Sequence, residues 1–177
     1  PEGAAGEGFV DRPLVAQFCG NDPDVVVGAA ELLQDQVDAV DLNLGCPQKI
    51  ARKGNYGAYL MRDKARCEAI VSAMASRLST PVTVKIRVLE DRQATLDFAK
   101  MVEASGAQLL TVHGRTLKQN KQYCGSADWD VIREIAEELS IPVVANGGIE
   151  SRGAALRCLA ETKAKAVMSA EALLENP

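Results

Sequence analysis

Six short aliphatic runs recur along the chain, each divided from the next by a stretch with helical periodicity, and this alternation constrains the fold more than any other feature. The runs cover residues 14–18, 39–43, 82–86, 109–113, 143–146 and 166–168. Each is short, rich in β-branched residues or bounded by Gly and Pro, and reads as a buried strand. Pro81 and Pro142 introduce two of them, where a missing N–H costs little. The intervening stretches carry helix start signals. Asp22-Pro23 opens a helix through about residue 36, Asp63 caps one through about 78, and Asp128 caps one through about 139. Ser151 caps one through about 161, and residues 92–105 form another that Gly106 ends. Helical connections make consecutive strands parallel.

Two parallel architectures compete, an open doubly wound sheet and a (β/α) barrel. Neither a GxGxxG fingerprint nor a phosphate-binding Walker loop is present. Gln17, Asn43, Lys85, His113 and Asn146 instead fall at the C-terminal ends of successive runs. One polar residue at the end of a buried strand is easily structural. Five in sequence converge on the C-terminal mouth of a barrel, where such folds place their chemistry.

Composition supports this and removes other classes. Of 177 residues, 47% are hydrophobic but only 4% aromatic, so the core is aliphatic, as in parallel α/β proteins. No apolar run approaches the ~18 residues that suggest a membrane span, and no secretory leader is visible. The five cysteines (Cys19, Cys46, Cys67, Cys124 and Cys158) form no CxxC pair, and His113 is the only histidine. That argues against a metal site or a disulfide framework and fits a reducing compartment. Cys19, Cys67 and Cys158 read as small buried hydrophobes. Net charge is −4, yet Lys49, Arg52, Lys53, Arg62, Lys64 and Arg66 face a single acid, Asp63, and Arg115, Lys118 and Lys121 face none. On charge alone these are solvated surfaces.

The segment Asn43-Leu44-Gly45-Cys46-Pro47, a basic stretch, and then Gly57-Ala58-Tyr59-Leu60 resembles the signature of tRNA-dihydrouridine synthases. Val84-Lys85-Ile86-Arg87, His113-Gly114-Arg115 and Ala145-Asn146-Gly147-Gly148 match further motifs of that family in order, and the similarity runs from about residue 13 to 177. Ser169-Ala170-Glu171 departs from the commoner bacterial Gly-Arg pattern and resembles the eukaryotic cytoplasmic branch that modifies positions 16 and 17. The resemblance implies a flavin-dependent TIM-barrel enzyme that reduces the 5,6 double bond of a tRNA D-loop uridine. The implied cofactor is FMN, with NAD(P)H as reductant, and the implied partner is tRNA, with no metal and no membrane. A cytoplasmic monomer is expected, with the nucleus as a second location.

The chemistry assigns roles to residues. Reducing that bond needs a hydride at one carbon and a positioned acid for the other. The resemblance makes Cys46 the proton donor. Gln17, Asn43, Lys85, His113, Asn146, Gly147, Gly148, Ala170 and Glu171 become cofactor contacts, the last two through backbone N–H groups. Lys49, Arg52, Lys53 and Arg115, read as lying on loops of the catalytic face, become tRNA contacts. Tyr56, Tyr59 and Tyr123 can stack on bases or fill the rim. Glycines leading into a helix near Ser151 make an anion site. A TIM barrel typically takes about 250 residues. The six units therefore read as strands two to seven of an incomplete (β/α)8 barrel over 13–177. Residues 1–12 read as an extension or fragment start, and strand one, strand eight and a C-terminal helical tRNA-binding domain as absent. Two alternatives stay open: an FMN-dependent barrel oxidoreductase of a free pyrimidine or other small molecule, and an inactive barrel fragment.

Overall fold

The computed structural model describes residues 12–120 and 123–175. The expected N-terminal extension, apart from Arg12, and Lys121 lie outside the described residues. Six strands form one sheet: β1 (Val15–Phe18), β2 (Ala39–Leu44), β3 (Val82–Arg87), β4 (Leu109–His113), β5 (Val143–Asn146) and β6 (Ala166–Met168). They pair in sequence order and every pair is parallel. The helices between them are α1 (Pro23–Glu31), α2 (Lys49–Gly54), α3 (Lys64–Arg77), α4 (Arg92–Ala104), α5 (Trp129–Glu138) and α6 (Arg152–Thr162), with a single turn, α7 (Ala172–Glu175), after β6.

The predicted caps form. Asp22 accepts from the N–H groups of Asp24 and Val25, Asp63 from Arg66, Asp128 from Val131 and Ser151 from Ala154. Each satisfies donors that the first helical turn leaves orphaned. Asp91 caps α4 in the same way through Ala94.

Side chains alternate along the strands, and the alternation decides the architecture. Val40, Leu42, Leu44, Val84, Ile86, Leu110 and Val112 are fully buried on one face, against Val27, Ile70, Met74, Phe98 and Ile132 of the helices. Each such side chain contributes roughly 1.5–3 kcal/mol through burial. The other face carries Asp41, Asn43, Thr83, Lys85, Thr111 and His113, aligned across β2, β3 and β4 by the register. A doubly wound sheet covers both faces with helices and needs both apolar. One aliphatic and one polar face instead suit a barrel wall, helices outside and the site's residues inside.

Two local expectations change. The first helix ends at Glu31 rather than near residue 36. Bonds from Leu33 N to Ala30 O (3.0 Å) and from Gln36 N to Leu33 O (2.8 Å) tighten the chain into a 3-10 turn that delivers it to β2. The basic stretch after Cys46, expected as a loop, forms α2 and a further 3-10 turn, Gly57–Arg62. Asn55 ends α2 in the left-handed conformation at φ 50° and donates to the carbonyls of Ala51 and Arg52. No helix of the described residues is long and apolar enough to cross a membrane.

Candidate active site

Cys46 lies just past β2, half-buried and with a free thiol. Asn43, the last polar residue on its face of β2, turns its Oδ1 back to accept from the N–H groups of Gly45 and Cys46, both at 2.9 Å. The Cys46 carbonyl accepts from Ala58 N at 3.1 Å, and the Tyr59 hydroxyl donates to the Pro47 carbonyl at 3.1 Å. Tyr59 is therefore a strut of this turn rather than a free stacking platform. Gly57 has φ +62°, and a Cβ there would sit 2.8 Å from Cys46 Cβ and 2.9 Å from its carbonyl oxygen. Gly57→Ala combines a left-handed backbone with that overlap and should cost about 2 kcal/mol. Chemical denaturation checks this, and an unchanged midpoint would contradict the packing described.

A cleft of about 750 Å³ opens at the C-terminal ends of β3 to β6, and neither Cys46 nor the rest of its turn is among the residues that line it. Lys85, His113 and Arg115 line it together with Asn146, Gly147, Gly148, Ala170 and Glu171. Gln17 and Asn43 stand apart from its lining, at the ends of β1 and β2. There Gln17 accepts from Asn43 Nδ2 and donates to Asp41, each at 2.7 Å. Lys49, Arg52 and Lys53 ride on α2, directly after the Cys46 turn, and Lys49, Arg52 and Lys53 are exposed.

Electrostatics in the cleft follow from burial beneath a cluster of cations. Desolvation, reinforced by Arg87, pushes Lys85 down to about 8, while Asp41 pulls the other way. Lys85 Nζ makes no hydrogen bond to any described residue. Burial pushes His113 down to about 3, with Arg87, Lys85 and Arg115 adding to the effect, so the ring is neutral at pH 7. Arg115 Nη1 lies 3.5 Å from His113 Nε2. Arg can only donate, so this contact suits the tautomer that carries its proton on Nδ1. His113 is the chain's only histidine, so its ring C–H resonances should stay flat in an NMR titration from pH 8 to 5. A midpoint near 6.5 would show that the ring is not shielded. The linked effect has a definite sign: between pH 6.5 and about 3 the unfolded chain binds a proton that the folded chain refuses, so stability falls as pH drops through that window.

Where β5 and β6 end, the cleft is built from backbone. Gly147 has φ +108°, and a Cβ there would meet His113 Cδ2 and Ala127 Cβ at 2.9 Å. Trp129 Nε1 donates to the Gly147 carbonyl at 3.0 Å, and Asn146 Nδ2 to the Met168 carbonyl at 2.8 Å, binding the ends of β5 and β6 together. The N–H groups of Gly147 and Gly148 donate to no described residue.

Sequence reasoning missed Arg87 and Asp41. The buried Arg87 donates from Nε to the Gly45 carbonyl at 2.8 Å, and from Nη1 to the carbonyls of Thr116 (3.0 Å) and Gln119 (3.2 Å). It joins the turn that holds Cys46 to the stretch that follows Arg115. Period-two spacing from Lys85 was the available signal. Among the cysteines, Cys67 and Cys158 are buried as expected, and burial pushes the Cys67 thiol up to about 12. Cys19 is exposed, contrary to expectation, because it lies beyond the end of β1 rather than within it. Cys124 lines the cleft. Among the described residues no group of His, Cys, Asp and Glu could hold a metal ion.

A family model described as dihydrouridine synthase matches residues 5–177. A tRNA-dihydrouridine(16/17) synthase-like protein of Mus musculus is 48% identical over 94% of this chain and 35% of its own length. The tRNA-dihydrouridine(16/17) synthase of Saccharomyces cerevisiae is 48% identical over 95% of the chain and 40% of its own length, and both names carry NAD(P)(+). A mouse tRNA-dihydrouridine(20a/20b) synthase-like protein reaches 37% over 94% of the chain and 52% of its own length. The chain thus spans about half or less of these relatives. Among solved structures, DHODH of Eimeria tenella superposes with a TM-score of 0.68 at 14% identity, covering 87% of this chain and 50% of that one, which shows a shared fold.

Proposed function

The chain belongs to the dihydrouridine synthase family, and from that premise we propose that it carries the catalytic centre of a tRNA-uridine reductase of the 16/17 branch. The branch rests on the margin of 48% over 37% identity. The observation that carries the reading is a free thiol, Cys46, on a turn fixed by Asn43 and Gly57 at the C-terminal end of β2, with a cleft at the same ends of β3 to β6 that holds a neutral imidazole and a cation without a hydrogen-bond partner among the described residues. We read the six strands as strands two to seven of a (β/α)8 barrel.

The cleft's residues fit FMN. Lys85 has a cationic end without a hydrogen-bond partner among the described residues, which suits the edge of a flavin ring that gains negative charge on reduction. Gly147 and Gly148 present N–H groups that donate to no described residue, and at Gly147 a side chain would collide with His113, a cradle suited to phosphate. Ala170 and Glu171 would close the phosphate end through their backbone, and His113 and Asn146 would supply polar contacts to the ring or the substrate. When bound, such a flavin, reduced by NAD(P)H, supplies the hydride. The chain's own residues do the rest. Cys46 gives its thiol proton to the second carbon of the double bond and recovers one from solvent. Neutral His113 offers a hydrogen bond without adding charge, and Arg115 holds its tautomer.

The target uridine has to leave its stack to reach the cleft, and the exposed cations of α2 would grip the backbone. Replacing Lys49, Arg52 and Lys53 together with Ala should weaken tRNA binding by at least tenfold at physiological salt and flatten its salt dependence, with flavin content unchanged. Unaltered tRNA binding would remove α2 from the interface. The function itself is tested by dihydrouridine analysis of tRNA from cells lacking and regaining the gene. Restored dihydrouridine at 16 and 17 supports the reading, and bound flavin without any change in tRNA refutes it.

A further inference from the structure

Behind the Cys46 turn lies a buried carboxylate that the proposed chemistry does not use. Asp41 is 6% exposed and pairs with Gln17 on β1 and Thr83 on β3. Its Oδ2 accepts from Gln17 Nε2 at 2.7 Å and its Oδ1 from Thr83 Oγ1 at 2.6 Å. No ion pair joins it to any cation among the described residues. Burying a charged group is costly unless hydrogen bonds compensate it, so its retention calls for a reason.

The reason is direction. A carboxylate with donors on both oxygens is an acceptor only. It therefore turns the NH2 of Gln17 toward itself and leaves Gln17 Oε1 facing β2. That oxygen selects the NH2 of Asn43, at 2.7 Å. Asn43 Oδ1 is then aimed at the N–H groups of Gly45 and Cys46. Each amide alone has two orientations, but a chain of two amides between an obligate acceptor and two obligate donors has one. We propose that Asp41 is a positioning residue, setting the sense of the Gln17–Asn43 amide chain so that the Cys46 turn is held in a single geometry. The effect of this on catalysis rests on the reading of Cys46 as the acid; the effect on the turn does not.

Asp41→Leu and Asp41→Asn, of similar size, separate hydrogen bonding from volume. The Asn side chain still offers an oxygen to Gln17 and turns its NH2 to the Thr83 hydroxyl, so it should rescue. Expected for Asp41→Leu is a fall in kcat of at least tenfold with KM for tRNA within twofold, and for Asp41→Asn a kcat within threefold of the parent. Alkylation by iodoacetamide, followed peptide by peptide, reads the turn without activity. The rate at Cys46 relative to exposed Cys19 should rise at least threefold in Asp41→Leu and stay level in Asp41→Asn. If Asp41→Leu fails to fold by circular dichroism, Gln17→Glu serves instead. It sets a second acceptor against Asp41 at an exposed position and should raise the Cys46 rate in the same way. A folded Asp41→Leu, or Gln17→Glu, with the parental Cys46 rate overturns the proposal. A parent protein that makes no dihydrouridine while its variants show the alkylation pattern overturns the functional reading and leaves the positioning role standing.

Discussion

Cys46→Ala should bind flavin and tRNA as the parent does and reduce the target uridine about 10²–10⁴-fold more slowly, the usual contribution of a positioned general acid. The substitution removes one sulfur from a half-buried site whose backbone is held independently of the side chain. Asn43 grips the N–H groups of Gly45 and Cys46, and Ala58 holds the Cys46 carbonyl. Neither bond needs the thiol, so the turn should survive and the loss should fall on kcat rather than on binding. Among the other cysteines only Cys124, half-buried and in the cleft lining, is a rival donor, and Cys124→Ala is the control that should keep the parental rate. Cys67 donates to the Leu60 carbonyl in the core with its thiol pushed up to about 12, and Cys158 is buried on the inner face of α6. Single-turnover reduction of tRNA measures the effect, and a Cys46→Ala protein working at the parental rate would show that another group donates the proton.

Lys85→Met is expected to stabilise the ligand-free protein and impair it as a flavoprotein. Lys85 is pushed down to about 8 from 10.5 by burial and by Arg87. Between those pH values the unfolded chain binds a proton that the folded chain does not, so stability rises as pH climbs from about 8 to 10.5, by about 3 kcal/mol. At pH 7 the folded protein carries that burial cost in full. Methionine matches the length of lysine without the charge and removes it, less whatever Asp41 gained from a nearby cation. The ligand-free variant should therefore melt several degrees higher at pH 7 and lose the upward slope between pH 8 and 10.5, while its affinity for FMN falls at least tenfold. A lower melting temperature in the ligand-free state would mean that Lys85 is a structural partner of Asp41 and not a charge kept ready for a ligand. A stabilising change that costs function is the usual mark of a binding residue held at the fold's expense.

How far the chain could be read without coordinates depended on the range of the interaction concerned. The strands were legible because β-branched runs and Pro81 and Pro142 are local signals, and the caps Asp22, Asp63, Asp128 and Ser151 were legible because a cap acts over three residues. The C-terminal end of α1 and the helical nature of residues 49–54 were not. The first depends on where the sheet requires β2 to begin, and the second on Asn55 entering a left-handed conformation that propensity does not dictate. Lys85, His113 and Asn146 were placed at one mouth because strand ends in a parallel sheet share a side.

By itself the sequence determined a parallel α/β order, a polar residue at the end of each of five strands, and a cysteine confined between Gly45 and Pro47. Alternation of strand and helix suffices for the first, and handedness and parallel pairing carry it to the second. Tertiary structure decided which polar groups serve the site and which serve one another. Gln17 and Asn43 end their strands just as Lys85 does, yet Asp41 and the Cys46 turn engage their amides while Lys85 finds no hydrogen-bond partner among the described residues. Arg87 likewise spans from Gly45 to Thr116 and Gln119, residues 42, 29 and 32 positions away. A hydrogen bond is satisfied by whatever the fold brings within about 3 Å, and separation along the chain carries no information about that distance.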